Sequence, residues 1–559
     1  MNLLMGISKL FGRISGLAAA AGLAFALLVA PAASAQEKLS IDNEPVMVVT
    51  VASINKLMQD VNYLTGAAGQ PGAGGMFQMM AATFTQGIDT TKPIGMMLGM
   101  VNDTPAPLVF IPTSDVGTVL DRLKAQIGPV DKLNDGTLVM SVGPNTMYIQ
   151  QADDWAVAAQ ARDHLKMAPA DPSLLFEGMG NNYDIALKIK VQQIPVDMRD
   201  TIIGQMRQGF EQAMQQQSAE EADATREMAE SSLEQIEQLI QDSDEISFGW
   251  NVDPESKNMV MDFEFRAVPD SDMAEMYAGT KAIPSRFASV IRSDAAAYLH
   301  AATSISDKAI ESARGSIDSA MSAVRGTIAQ DGNLSEADAA EINTYIDRVI
   351  EIAVSSMEEG KSDFGAMLIA SETDLRFVLG MFVSDGNEVA TLAQDLAKKI
   401  EGQPNAPTFK FNNGKHNGVT LHLVESEVPA SEDEARKIFG DTLQIHIGTA
   451  DNAVYIAGGK DGLKEMKQLI DDGQTDNGTD RPLSQGRFQL LPILKFAQSI
   501  DDNDAVTAMI NALSSSPDPG EIMVVSEPVE HGSKIRITVG EGLIKALGAA
   551  GAAAQNAQF

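Results

Sequence analysis

The sequence predicts an α+β protein built as two tandem copies of an antiparallel sheet covered by helices, with a long acidic helical arm in the first copy. Three observations carry that prediction. The stretch Val142–Met167 (VGPNTMYIQQADDWAVAAQARDHLKM) recurs in outline at Ile447–Asp472 (IGTADNAVYIAGGKDGLKEMKQLIDD), and an internal repeat constrains architecture before any local assignment does. Each reads as a strand followed by a helix. The strands are Met147-Tyr148-Ile149 and Val454-Tyr455-Ile456, which lays Tyr148 on Tyr455. Trp155 opens the first helix, and Leu463, Met466, Leu469 and Ile470 stripe the second. Second, segments of alternating polarity are interleaved with amphipathic ones throughout. Third, Ser218–Glu245 is dense in acids with Arg226 its one base, yet Met228, Leu233, Ile236, Leu239 and Ile240 keep an apolar stripe, which favours a helix with one dry face over a disordered tail.

Residues 1–35 read as a secretory signal. Lys9 and Arg13 make the positive start, Leu17–Val29 is an apolar run too short to span a bilayer, and Ala33-Ser34-Ala35 is a cleavage site that predicts a mature chain beginning at Gln36. No later run reaches the about 18 apolar residues of a transmembrane helix. The 559 residues include no Cys, so an exported chain must rely on its core rather than on disulfides. Removing the two signal cations takes the formal net charge from −35 to −37. That argues against nucleic acid and anionic membrane surfaces as partners, and reads most simply as a solvated surface.

The first copy, residues 36–268, opens with a strand at Val46–Val51 and a helix capped by Ser53. Gly66–Gly75 reads as a mobile Gly/Pro/Ala loop before a short apolar helix, Met76–Phe84. Strands follow at Ile94–Val101 and Leu108–Ile111. Ser114 or Asp115 caps a helix carrying Val116, Val119, Leu120 and Leu123, and Asn134-Asp135-Gly136 turns into Thr137–Val142. Tyr183–Val191 alternates as a half-buried strand, and the helical arm runs over 196–242. Ile246–Val252 and Met259–Ala267 form a hairpin across Asp253-Pro254-Glu255-Ser256.

Residues 269–294 read as a linker with some helix. The second copy, 295–540, begins with a strand at Ala295–Ala302 and helices at Ser304–Ala329 and Ser335–Met357. Strands at Ala366–Ala370 and Phe377–Val383 precede the helix Asn387–Ile400, and Asn417-Gly418 turns into a strand ending at Val424. Ser431–Glu434 reads as a capping box opening a helix to Phe439. Arg487–Phe496 parallels Tyr183–Val191, and Glu521–Val525 with Lys534–Val539 form the closing hairpin. Residues 541–559 are an Ala/Gly-rich tail of little fold value.

The chemistry-bearing residues give no site. The six histidines, His164, His300, His416, His422, His446 and His531, form no His-Glu-x-x-His, and there is no thiolate to ligate zinc. His416 and His422 lie six apart around a hairpin turn and His422 and His446 could meet across strands, but exposed or half-buried strand histidines explain them better than a metal pair. Gly360-Lys361-Ser362 imitates the end of a phosphate loop without its first Gly or its preceding strand. Asp331-Gly332-Asn333 imitates a calcium loop, but Glu336 stands where Gly is needed and Ile342 where Glu is needed. There is no G-x-S-x-G elbow. Of the 29 methionines, Met76, Met79, Met80, Met96, Met97 and Met100 cluster; core filling explains them more simply than an apolar-ligand surface.

GIDTTKP at Gly87, LVFIPTSD at Leu108, MYIQQADDWAVAAQ at Met147, YDIALKIKVQQIP at Tyr183 and EISFGW at Glu245 resemble a family of uncharacterised secreted proteins of planctomycete bacteria. The likeness covers about Val46–Ala267, and the second copy diverges from it. It implies export and a duplicated build, and it brings no catalytic residues. The expectation is therefore an exported, non-enzymatic binding or scaffolding protein of the envelope or exterior, with no cofactor, no metal and no assigned site residue. The alternative is a carrier holding an apolar ligand between sheet and helices, lined by the Met cluster. A third reading, a hydrolase, lacks a carboxylate pair to carry it.

Overall fold

The computed structural model describes residues 44–143, 145–215, 233–330, 335–402, 406–475, 478–500 and 503–556. The proposed signal, residues 216–232 of the acidic arm with its Met228, and residues 331–334 lie outside them. The fold is α+β with antiparallel strands throughout. Contacts divide the chain into a first unit, residues up to 58 and 78–198, and a second, residues 59–77 and 199–559.

The first unit contains β1 (Met47–Val51), β2 (Ile94–Val101), β3 (Thr104–Pro112), β4 (Val130–Lys132), β5 (Leu138–Val142), β6 (Asn145–Ala152), β7 (Trp155–Ala159) and β8 (Ile185–Lys190). They pair in the order β8-β1-β2-β3-β7-β6-β5-β4. The β2–β3 turn holds Asn102 and Asp103 at φ of 48° and 58°, the two left-handed residues a tight hairpin requires. Asp115 caps the helix Val116–Ile127 as expected, accepting from the Thr118 N–H.

Both faces of this sheet are covered. Trp155, Val157 and Ala159 of β7 join Leu108, Phe110 and Phe176 in one cluster, while Ala156 and Ala158 join Val116, Leu120, Met140 and Ile149 in another. This corrects the expected helix opened by Trp155. Every residue from Trp155 to Ala159 is buried, so the polar-apolar alternation that marks a strand is missing, and a short continuous apolar run does not separate strand from helix. Asp153, at φ 48°, turns the chain back before it.

The second unit contains β9 (Ser243–Asp253), β10 (Asn258–Ala267), β11 (Ala297–Ser304), β12 (Lys361–Ser371), β13 (Asp374–Phe382), β14 (Thr408–His416), β15 (Val419–Glu427), β16 (Thr442–Ala450), β17 (Ala453–Gly458), β18 (Ser484–Gln489), β19 (Glu521–Val529) and β20 (Gly532–Gly540). They pair as β9-β10-β20-β19-β18-β11-β12-β13-β17-β16-β15-β14. The run from β18 to β14 follows the same succession as the run from β8 to β4. The two expected hairpins, β9–β10 and β19–β20, lie side by side. Across their β10–β20 seam the buried Asp262 takes a bidentate pair from Arg536, 2.8 and 2.7 Å, with Lys534 at 3.4 Å.

Several expectations change. Tyr148 lies in β6, opposite Ala159, whereas Tyr455 lies in β17, opposite Gly448. Counted from the turns, Tyr148 stands level with His446 and Tyr455 with Val157, so the alignment of the tyrosines is off by one strand. Gly66–Gly75 is not a loop throughout, because Pro71 starts a helix that runs to Phe84, as proline at a first helical position allows. Within residues 269–294, Phe287 and Val290 are fully buried in the core beside Tyr298, Tyr455 and Met466, a place no linker takes. The tail forms a helix, Glu541–Asn556, whose Ala546 is fully buried against Leu494 and Leu513. The helix Asp433–Phe439 starts at Glu432 without a side-chain cap, so the expected capping box is absent.

Candidate functional site

The second unit's sheet has a cavity on each face. On one face, Tyr455 and Ala457 of β17 meet Met466, Leu469 and Ile470 of the helix Gly462–Asp472. That helix is the apolar stripe expected from sequence. Val454 and Ile456, one residue out of phase, point the other way. With Phe364 and Met381 they floor an apolar cleft of about 450 Å³. Ile317 of the helix Asp307–Gln330, Ile352 and Ala353 of Glu336–Glu358, and Leu392 of Gly386–Ile400 form its other walls. Ser356 brings a hydroxyl to the lining, but spends it on the Ile352 carbonyl at 2.5 Å and accepts from the Ser384 N–H at 2.9 Å. In the first unit the same face of β7, through Ala156 and Ala158, is filled by Val116 and Leu120 of a single helix.

On the face opposite the apolar cleft a polar cavity of about 640 Å³ opens beside Arg286, Asn417, Asp451 and Tyr455. Lys361, Asp363 and Phe382 line both this cavity and the apolar cleft. Lys361 Nζ stands 4.1 Å from the centre of the Phe382 ring, and neither Lys361 nor Arg286 forms a side-chain ion pair among the described residues.

Behind that shared wall is a buried polar constellation. Ser285 Oγ lies 2.6 Å from Asp363 Oδ1 and 2.9 Å from His300 Nε2, and accepts the Phe287 N–H at 3.0 Å. The Arg286 N–H donates to Asp363 Oδ2 at 2.9 Å. Burial pushes the Asp363 carboxyl above the usual carboxylate range, against the pull of the Ser285 hydrogen bond and the Arg286 N–H. The trio resembles catalytic equipment only in composition. In a nucleophilic triad the carboxylate orients the histidine, and the histidine takes the serine proton. Here the carboxylate touches the serine. If the Ser285 hydroxyl donates to Asp363, its remaining partner His300 must itself donate through Nε2 and cannot act as the base. Ser285 and His300 are 1% and 0% exposed, and Ser285 stands with Asp363 in the lining of the polar cavity. The arrangement fastens the chain before β11 to β11 and β12. No local motif announces it, because its members are distant in sequence and only the fold joins them.

The other histidines do not converge. His422 pairs in register with Ile447, and His446 with Leu423, so the two imidazoles project from opposite faces and the metal pair fails. His422 is buried, with Nε2 3.0 Å from Thr449 Oγ1 and Nδ1 accepting the Asn412 N–H at 3.2 Å. His416 Nε2 instead meets Asp471 Oδ1 at 2.6 Å. Among the described residues no group of His, Asp and Glu is placed to hold a metal ion, and no helix is long and apolar enough to cross a membrane. The Met cluster does not line the cleft. Met76, Met79 and Met80 are exposed on the helix Pro71–Phe84, while Met97 is buried in the first unit's core.

No family model and no curated protein matches this chain. A solved structure titled "Structure of crystal form IV of TP0453" is similar over 40% of this chain and 78% of its own, at 6% identity and a TM-score of 0.22. A likeness that weak carries no argument about fold or function.

Proposed function

We propose that this protein is an exported, non-enzymatic binding protein of the cell envelope or exterior, and that it carries an apolar ligand between the sheet and helices of its second unit. The apolar cleft is the observation that carries the reading. At about 450 Å³ it falls within the about 300–1,000 Å³ of ordinary ligand sites, and it occupies the face that the first unit fills with side chains. Export rests on the signal-like residues 1–35. The shared succession of strands supports a duplicated build. A scaffolding role has support of its own in the uncharged helix Pro71–Phe84, which exposes Met76, Met79, Met80 and Phe84.

The test is native mass spectrometry of the protein purified from its own envelope, alongside Ala353→Trp, which fills the cleft. A small apolar molecule carried by the natural protein and lost in the variant supports the reading. Identical ligand-free spectra for both overturn it in favour of the scaffold.

A further inference from the structure

The wall shared by the two cavities says more about the ligand than the apolar cleft alone. Val454 and Ile456 line one cavity, Tyr455 and Val419 the other, so the two lie on opposite faces of the sheet. They come together where β12 begins and β13 ends, at Lys361 and Phe382. A wholly apolar ligand has no use for a cation at that point. An ammonium with no carboxylate partner among the described residues, in the wall between the apolar cleft and the polar cavity, is a ready partner for an anionic group, and the Phe382 ring holds it there. The buried carboxylate in the lining, Asp363, already has its two oxygens engaged, one with the Ser285 hydroxyl and one with the Arg286 N–H. The other acids of the polar cavity, Glu359 and Asp451, are exposed at its rim, where solvent screens them.

Building on the apolar-carrier reading, we propose that the ligand is a single-chain anionic amphiphile, with its tail in the cleft beneath Ile352 and Ala353 and its acidic head at Lys361, turned toward the polar cavity. The chemistry is that of a long-chain carboxylate: one apolar chain, one negative charge, and a head that stays hydrated.

Calorimetric titration of the delipidated mature chain with hexadecanoate and with hexadecan-1-ol separates head from tail, since the two ligands share the chain and differ in charge. The carboxylate is expected to bind about tenfold more tightly than the alcohol, the contribution of one charge-assisted contact. Lys361→Gln should remove that preference by weakening the carboxylate alone, and Lys361→Arg should keep it. Ala353→Trp should weaken both ligands by about tenfold or more, with circular dichroism confirming that each variant is folded. Equal affinity for acid and alcohol, still abolished by Ala353→Trp, overturns the head assignment and leaves the apolar carrier standing. Failure of both ligands to bind, or indifference of both to Ala353→Trp, overturns the carrier reading itself.

Discussion

Phe287→Ala should cost the second unit about 4 kcal/mol. Phe287 is fully buried, and its ring packs edge-on against Tyr455 with centroids 5.6 Å apart at 68°. The strands beneath it are cut away to admit it. A Cβ built on Gly380 would stand 2.3 Å from the Phe287 ring, and one on Gly365 would stand 2.6 Å from the Phe287 carbonyl oxygen. Truncating a buried Phe typically costs about 3–5 kcal/mol, more where the surroundings cannot collapse into the gap. Two glycines in paired strands have no side chains to move into it, which places this site toward the middle or top of that range, and the truncation also removes the edge-on pairing with Tyr455. Urea unfolding followed by far-ultraviolet circular dichroism measures the change, and hydrogen exchange on β12 and β13 peptides locates it. A loss below about 1 kcal/mol, the level of a surface substitution, with unchanged protection of those strands would refute this reasoning and restore residues 269–294 to a linker.

Two further outcomes follow from the same structure. Burial lowers the pKa of His164, His422 and His446 below the ordinary histidine value, and protonating His422 at Nδ1 would break its hydrogen bond from the Asn412 N–H. The unfolded chain therefore binds more protons than the folded one near and below the ordinary histidine pKa of about 6.5, and stability should fall as pH drops from about 7 toward 5. A urea midpoint that stays level or rises over that window contradicts it. Deleting residues 541–559 should destabilise the protein by at least about 2 kcal/mol, the scale of exposing one or two core side chains, because the helix Glu541–Asn556 covers Leu494 and Leu513. Limited proteolysis should then cleave within 490–514, and an unchanged digestion pattern would show the tail to be dispensable.

No local signal marks Ser285, His300, Lys361 or Asp363 for the places they take in the fold. Each is an ordinary residue in its own neighbourhood: a serine in an apparent linker, a histidine in a strand, a lysine and an aspartate at the start of another. Lys361 even sits in a false phosphate-loop motif, which gives it no role of its own. The cleft itself leaves no mark in the sequence, because a helix that lines a void shows the same apolar stripe as one that fills a core.

The α+β class, the places of many strands and helices, the two hairpins, and a helix cap at Ser114 or Asp115, of which the structure uses Asp115, were legible in the sequence alone. These rest on periodicity and turn chemistry, which act over a few residues and are written where they act. The tertiary structure decided the rest. It made Trp155–Ala159 a strand because both faces of that strand are covered, so burial erased the alternation that would have marked it. It set Tyr148 and Tyr455 in different strands, since similar local patterns do not fix which neighbour a strand pairs with. It turned the linker and the tail into core, because Phe287 and Ala546 are buried by partners far away in the chain. It also opened an apolar cleft over one face of the second sheet and a polar cavity over the other, because packing is a relation among several elements, and no single stretch of sequence carries it.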